Sequence, residues 1–195
     1  MGSQILISLT RLTDFLDKLA PADFNSTRVE GFLNQHHLEF DELLPFIYFR
    51  EDTYGRNIVK RNTHYELLIL SWLPNQSTPI HDHNGQRCWI WMHSGKLTFR
   101  SFRQLDGKEQ SVQPCGPSQV HSPGELTYLD DSMGFHEIAN LSGKPAVSLH
   151  LYAEPISHCR IYDQQKKKFE LVELRAFNPR EEEVPEEMPP GGLLS

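Results

Sequence analysis

The stretch Pro79-Ile80-His81-Asp82-His83-Asn84-Gly85-Gln86-Arg87-Cys88 decides how this sequence is read. Side chains alternate between the two faces of a strand, so an extended backbone sends His81 and His83 to the same side. A β-scaffold can offer two of the three ligands of an open metal site in this way. A third histidine, His136, ends Gly134-Phe135-His136, and Asn140 follows four residues later. The spacing predicts a mononuclear metal site inside a small β-barrel. Three neutral imidazoles would leave the full charge of a divalent ion in place and three coordination positions open. Such a site favours an anionic bidentate ligand, for which a soft thiolate is suitable, and keeps room for dioxygen. Cys88 as a fourth ligand would instead close a structural His3Cys zinc site. Its separation of five residues from His83 is odd, which should turn it off the histidine face.

Outward from this stretch, the pattern is one of short strands and turns. Glu66 to Trp72 is a buried-strand candidate, and Pro74 to Pro79 a loop. Cys88–Met92 and Leu97–Phe102 read as strands around a turn at Ser94-Gly95. Asp106-Gly107 marks another turn, and Gly124-Glu125 and Asp130-Asp131-Ser132 separate further strands. Val147–Tyr152 and Arg160–Tyr162 follow, with a hairpin at Asp163 to Lys166. Many short strands at regular spacing indicate an all-β barrel or jelly roll. Within Ser148-Leu149-His150-Leu151-Tyr152, alternation puts Ser148, His150 and Tyr152 on one face and Val147, Leu149 and Leu151 on the other. Beside three histidines, that polar face reads as the lining of a site and the apolar face as packing for helices.

The first fifty residues read as helical. Leu9, Leu12, Phe15, Leu16 and Leu19 recur at threes and fours, and Pro21 closes that segment. A second helix is expected from Asn25-Ser26-Thr27 through Leu33. His36 and His37 fall in a polar helical stretch, and a third segment spans Glu39 to Phe49 around Pro45. The expected layout is one domain: a helical segment 1–53, a barrel 54–178, and an acidic, disordered tail 179–195. Among the ten histidines, His64, His93, His121 and His158 have no partner at ligand spacing.

Composition excludes several classes. The net charge is −7, of which −4 belongs to the last sixteen residues, so nothing favours nucleic acid or a phospholipid surface. Cys88, Cys115 and Cys159 are odd in number and unpaired in spacing, which argues against a disulfide framework. No apolar run approaches the roughly 18 residues of a membrane span, and no signal-peptide pattern opens the chain. A cytoplasmic monomer is expected.

The HxH pair followed by a GxH histidine is the cupin pattern. Most metal cupins place a glutamate after the pair, where this chain has Cys88. Five motifs in order make the chain resemble the cysteine dioxygenases, thiol dioxygenases of the cupin superfamily. They are Tyr54-Gly55-Arg56-Asn57, Trp72 nine residues before His81, His81-Asp82-His83 with Cys88, Asp131-Ser132-Met133-Gly134-Phe135-His136, and Ser148 to Tyr152. The resemblance runs from about Tyr54 to Asp163. It implies a mainly β cupin (jelly-roll) barrel with the N-terminal helices packed outside. It implies Fe(II) on His81, His83 and His136, and a substrate carboxylate on Arg56 helped by Tyr54, where an arginine fork suits bidentate capture. It implies a relay of Ser148, His150 and Tyr152, a Cys88–Tyr152 thioether, and L-cysteine and dioxygen as substrates. Ala153-Glu154-Pro155 departs from the usual Ser-Pro-Pro after the tyrosine, where a proline often follows a cis bond. The alternatives are a dioxygenase of 3-mercaptopropionate or another small thiol, and a non-catalytic cupin that binds a small ligand. Relatives acting on 3-mercaptopropionate generally carry glutamine in place of Arg56, and cysteamine has no carboxylate for it to hold.

Overall fold

The computed structural model describes residues 5–105 and 111–179. The turn expected at Asp106-Gly107, and the acidic tail from residue 180 on, lie outside the described residues. The N-terminal part holds β1 (Ile5–Ile7), α1 (Leu9–Asp17), α2 (Ser26–Leu33), β2 (His36–Leu38) and α3 (Phe40–Leu43). Then come β3 (Gly55–Arg61), β4 (Glu66–Trp72), β5 (Ile80–His81), β6 (Cys88–Ser94) and β7 (Leu97–Leu105). The chain continues through β8 (Ser111–Pro114), β9 (Gln119–His121), β10 (Leu126–Leu129) and β11 (Phe135–Ala139). It closes with β12 (Ala146–Tyr152), β13 (His158–Asp163) and β14 (Lys168–Glu173).

Two curled antiparallel sheets form a half-barrel. One has the order β10-β6-β12-β4-β3, and the other β14-β13-β5-β11-β7-β8 with β9 on β7. The first sheet explains the near-continuous apolar runs of the sequence, because it is covered on both faces. Leu67, Ile69, Trp89, Trp91, Val147, Leu149 and Leu151 pack into one core with Leu9, Leu12 and Leu16 of α1. The alternate residues Leu68, Leu70, Trp72, Cys88, Ile90, Met92 and Tyr152 form a second core inside the barrel. Period two therefore divides each central strand between an outer helical layer and an inner chamber.

The helices begin where caps allow. The Ser8 side chain accepts from Arg11 N at 3.2 Å and Asn25 from Arg28 N at 3.2 Å. Phe15 and Phe32 stack at 3.9 Å and tie α1 to α2. The helical reading of His36 and His37 is corrected: they lie in β2, which pairs in parallel with β1, His36 opposite Ile5. Their local sequence carries no strand signal, and a partner thirty residues upstream imposes the extended form.

Candidate metal centre

Strand pairing brings the histidines together. β11 runs antiparallel to β5 with His136 directly opposite His81. His83 lies just beyond the end of β5, so the HxH pair is not contained in a strand. Two carboxylates hold the extended course past it. Asp82 N donates to Arg160 O at 3.1 Å, and Asp82 Oδ1 accepts from Arg160 N at 2.8 Å. Asp131 accepts from His83 N at 2.8 Å and from Gly85 N at 2.5 Å. Asp82 is itself buried, and its other oxygen accepts from Arg160 Nε at 2.6 Å. The ligand atoms of His81, His83 and His136 lie within 4.8 Å of one another.

These residues suit a cation. His81 Nδ1 meets Pro79 O at 2.9 Å, which sets the ring so that Nε2 remains for coordination. His136 Nε2 and His83 Nδ1 are buried without a hydrogen-bond partner. Burial and the neighbouring imidazoles hold His83 and His136 far below the usual histidine range, and burial lowers His81 as well. Neutral rings with lone pairs free are the form that a metal requires. Cys88 is not among the clustered ligand atoms. Strand parity is not what sets it apart, because the turn after His83 starts a new strand and parity does not carry across. In β6, Cys88 lies directly opposite Tyr152 of β12, facing the same chamber.

The polar face of β12 enters that chamber. Ser148, His150 and Tyr152 are all buried. Trp72 Nε1 donates to Ser148 Oγ at 3.0 Å, and Ser148 Oγ lies 2.9 Å from His150 Nε2. No direct hydrogen bond joins His150 to Tyr152; their ring centroids are 6.4 Å apart, and His150 Nδ1 is unpartnered. Tyr152 stands edge-on to His83, with ring centroids 5.5 Å apart. Burial pushes the Tyr152 phenol well above its usual range and raises the Cys88 thiol, while burial and nearby cationic groups keep His150 neutral.

β3 delivers Arg56. Gly55 lets the chain pass Tyr48, since a Cβ there would come within 2.2 Å of Tyr48 O. Arg56 Nε and Nη2 are buried and donate to no partner among the described residues. The guanidinium carbon lies 6.0 Å from the Tyr152 ring centroid. Burial opposes its charge, but Tyr152, Tyr54 and Glu66 outweigh that and raise its pKa. Tyr54 stacks on Trp72 at 4.5 Å. Asp82, Asp131 and Arg160 were not singled out from sequence as site residues. Carboxylate bonds to backbone amides leave no periodic trace, although Asp131 stands inside a quoted motif. Glu66, a buried strand residue in the sequence, holds Arg61 and accepts from Ile156 N at 3.2 Å.

Comparison with known proteins agrees with this geometry. Residues 6–165 match the family described as Cysteine dioxygenase type I. The chain is 32% identical over 167 residues to cysteine dioxygenase type 1 of Danio rerio, covering 84% of this chain and 83% of that one. Against cysteine dioxygenase type 1 of Homo sapiens it is 30% identical, covering 81% and 80%. A sugar phosphate isomerase of the cupin superfamily from Silicibacter pomeroyi has a TM-score of 0.43 at 11% identity, over 71% of this chain and 84% of that one. On the family match and the identity to its curated members, this chain belongs to the cysteine dioxygenase type I family.

Proposed function

We propose that this chain oxidises L-cysteine with dioxygen to cysteine sulfinic acid, using one ferrous ion held by His81, His83 and His136. The observation that carries the reading is Arg56: a buried cation with two unpaired nitrogens beside a three-histidine cluster. The ion would supply affinity for a thiolate and the redox chemistry of dioxygen. Arg56, with Tyr54 beside it, binds the substrate carboxylate by a bidentate fork and so fixes where the sulfur lies. Tyr152 stays protonated and offers its hydroxyl hydrogen inside the chamber, and His150, set by Ser148 and Trp72, lines the same face. The inner core of Leu68, Leu70 and Ile90 excludes bulk water. Thiolate plus dioxygen gives sulfinate, with both oxygen atoms retained, so no outside reductant is needed.

Two further readings accompany this one. Cys88 and Tyr152 face each other across the β6–β12 pair, which suits a thioether formed when a hydrogen leaves each partner and dioxygen is the oxidant. Intact-mass and peptide mapping after many turnovers should show a species about two mass units lighter; only free Cys88 and Tyr152 would refute the bond. Three unpaired cysteines fit a reducing, cytoplasmic setting, and a monomer is expected. Ala153-Glu154-Pro155 keeps 3-mercaptopropionate as the competing substrate. The deciding experiment is oxygen uptake by iron-loaded protein with L-cysteine, 3-mercaptopropionate and cysteamine, with products identified by mass spectrometry. Cysteine sulfinate as the dominant product supports the reading; a preference for 3-mercaptopropionate, or no uptake with any thiol, overturns it.

A further inference from the structure

Glu66 is the one acidic residue in the five strands of the sheet that carries Arg56 and Tyr152, and it is fully buried. It opens β4, directly opposite Tyr152 of β12 on one side and Arg61 of β3 on the other. Residues paired in this way share a face of the sheet, so the carboxylate lies beside Tyr152 at the end of the inner chamber. Arg56 and Arg61 are an odd number of positions apart, which in an unbroken strand would send them to opposite faces. The register shift between Ile58 and Lys60 brings both to one face, and both line the same cavity. Both oxygens of Glu66 are committed. Oε1 accepts from Arg61 Nε at 2.6 Å and also from Arg61 Nη2. Oε2 accepts from Ile156 N at 3.2 Å, in the segment that follows Tyr152. This edge of the chamber therefore holds two guanidinium groups and one carboxylate. The carboxylate goes to Arg61, whose side chain is half-exposed, while Arg56 keeps Nε and Nη2 buried and unpartnered.

We propose that Arg61 is a positioning residue for the oxidation: it holds the Glu66 carboxylate and so keeps Arg56 available to the carboxylate of the substrate. This role rests on the dioxygenase reading above, in which Arg56 binds that group. A buried carboxylate stripped of its partner is costly and acts on whatever cation its field still reaches. Here that cation is Arg56, whose charge Glu66 already favours. Without Arg61, Glu66 would compete from inside the protein for the charge that the substrate must find unanswered. The bond to Ile156 N does not prevent this, because a backbone amide carries no net charge to offset the carboxylate.

The test compares Arg61→Gln, Glu66→Gln and the double variant in the iron-loaded full chain, by oxygen uptake with L-cysteine and by titration of L-cysteine under nitrogen. Arg61→Gln should raise both KM and the dissociation constant about ten-fold, the scale of one unit charge acting at short range inside a protein, with kcat retained at saturating thiol. Glu66→Gln should show no such rise, since its amide oxygen still accepts from Ile156 N and the side chain is uncharged. The double variant should return both constants towards wild type although it lacks the same arginine. An ion pair with a merely structural role would lower melting temperature and iron content in both single variants and leave the double no better than Arg61→Gln. Should Arg61→Gln not fold, Arg61→Lys takes its place; one bond in place of two should give a smaller rise, again reversed by Glu66→Gln. Unchanged constants in the arginine variant, or a rise that Glu66→Gln does not reverse, overturns the proposal while the dioxygenase reading stands. The same reversal in dissociation constants, in a protein that oxidises no thiol, would sustain the hold of Arg61 on Glu66 and remove the dioxygenase reading instead.

Discussion

Arg56 and Gly134 each concentrate a large effect in one residue. If Arg56 holds the substrate carboxylate as proposed, replacing it removes a charge pair of about 2–5 kcal/mol. Arg56→Gln should therefore raise KM for L-cysteine strongly and narrow the gap to 3-mercaptopropionate; steady-state kinetics showing an unchanged KM and preference would refute its assignment. Gly134 has φ +87°, and a Cβ there would meet Phe102 O at 2.5 Å. It stands two residues before His136, so strain enters the strand that carries this histidine directly. Gly134→Ala should destabilise the fold by about 1–3 kcal/mol and weaken metal binding together, read by thermal melting and iron content. A variant with wild-type melting and full iron would show that the close approach is easily relieved. At this scale much was legible. His81, His83 and His136 stood out by spacing, and Ser148, His150 and Tyr152 by alternation. The role of Cys88 was less so, because counting from His83 assumed one continuous strand where the chain makes a turn. Arg56 looked like any loop arginine until its motif was considered; its isolation from partners is a tertiary property.

At the scale of elements, β5 is the delicate one. It contains two residues, and its continuation is held by the Asp82–Arg160 pair and the Asp131 carboxylate rather than by a long ladder. Arg160 also lies over Phe135, 5.2 Å from the ring centroid, so the clamp spans both segments that carry the clustered histidines. Asp82→Asn keeps the shape but removes the charge on which Arg160 closes. A loss of about 10–100-fold in metal affinity is expected, the range typical of outer partners of metal ligands. Competition with a chelator of known affinity measures it, and an unchanged affinity would mean that backbone pairing alone suffices. The long strands were readable because both of their faces are apolar and their turns are marked by glycine. β1 and β2 were not, since the three residues Ile5–Ile7 find their partner only across two intervening helices.

For the whole molecule, the helical layer and the sheet are joined by charge as well as by apolar contact. Asp17, in the last turn of α1, accepts from Lys60 Nζ at 2.6 Å and from Tyr65 Oη at 2.8 Å. Burial raises its pKa, but Lys60 and Tyr65 outweigh that and hold it below the usual 3.8. A carboxyl depressed in the native state contributes stability above its unfolded pKa and loses it as pH falls through the native one. The melting temperature of Asp17→Asn should therefore lie below wild type near neutrality and converge with it below about pH 4; parallel curves across the range would refute the linkage. Leu149→Ala probes the apolar side of the same junction and should cost about 2–5 kcal/mol, measured by denaturant unfolding.

β12 carries the polar site residues on one face and the helix-facing core on the other, and it is hydrogen-bonded to β4 and β6 along both edges. Its amide hydrogens can meet deuterium only when both neighbours and both layers separate, an event that amounts to opening the entire chain. The slowest-exchanging amides should then be those of the residues that carry Ser148, His150 and Tyr152. Damage by heat or denaturant should accordingly register as a shrinking fraction of fully competent molecules, each survivor working at its original speed, with no intermediate population of sluggish ones.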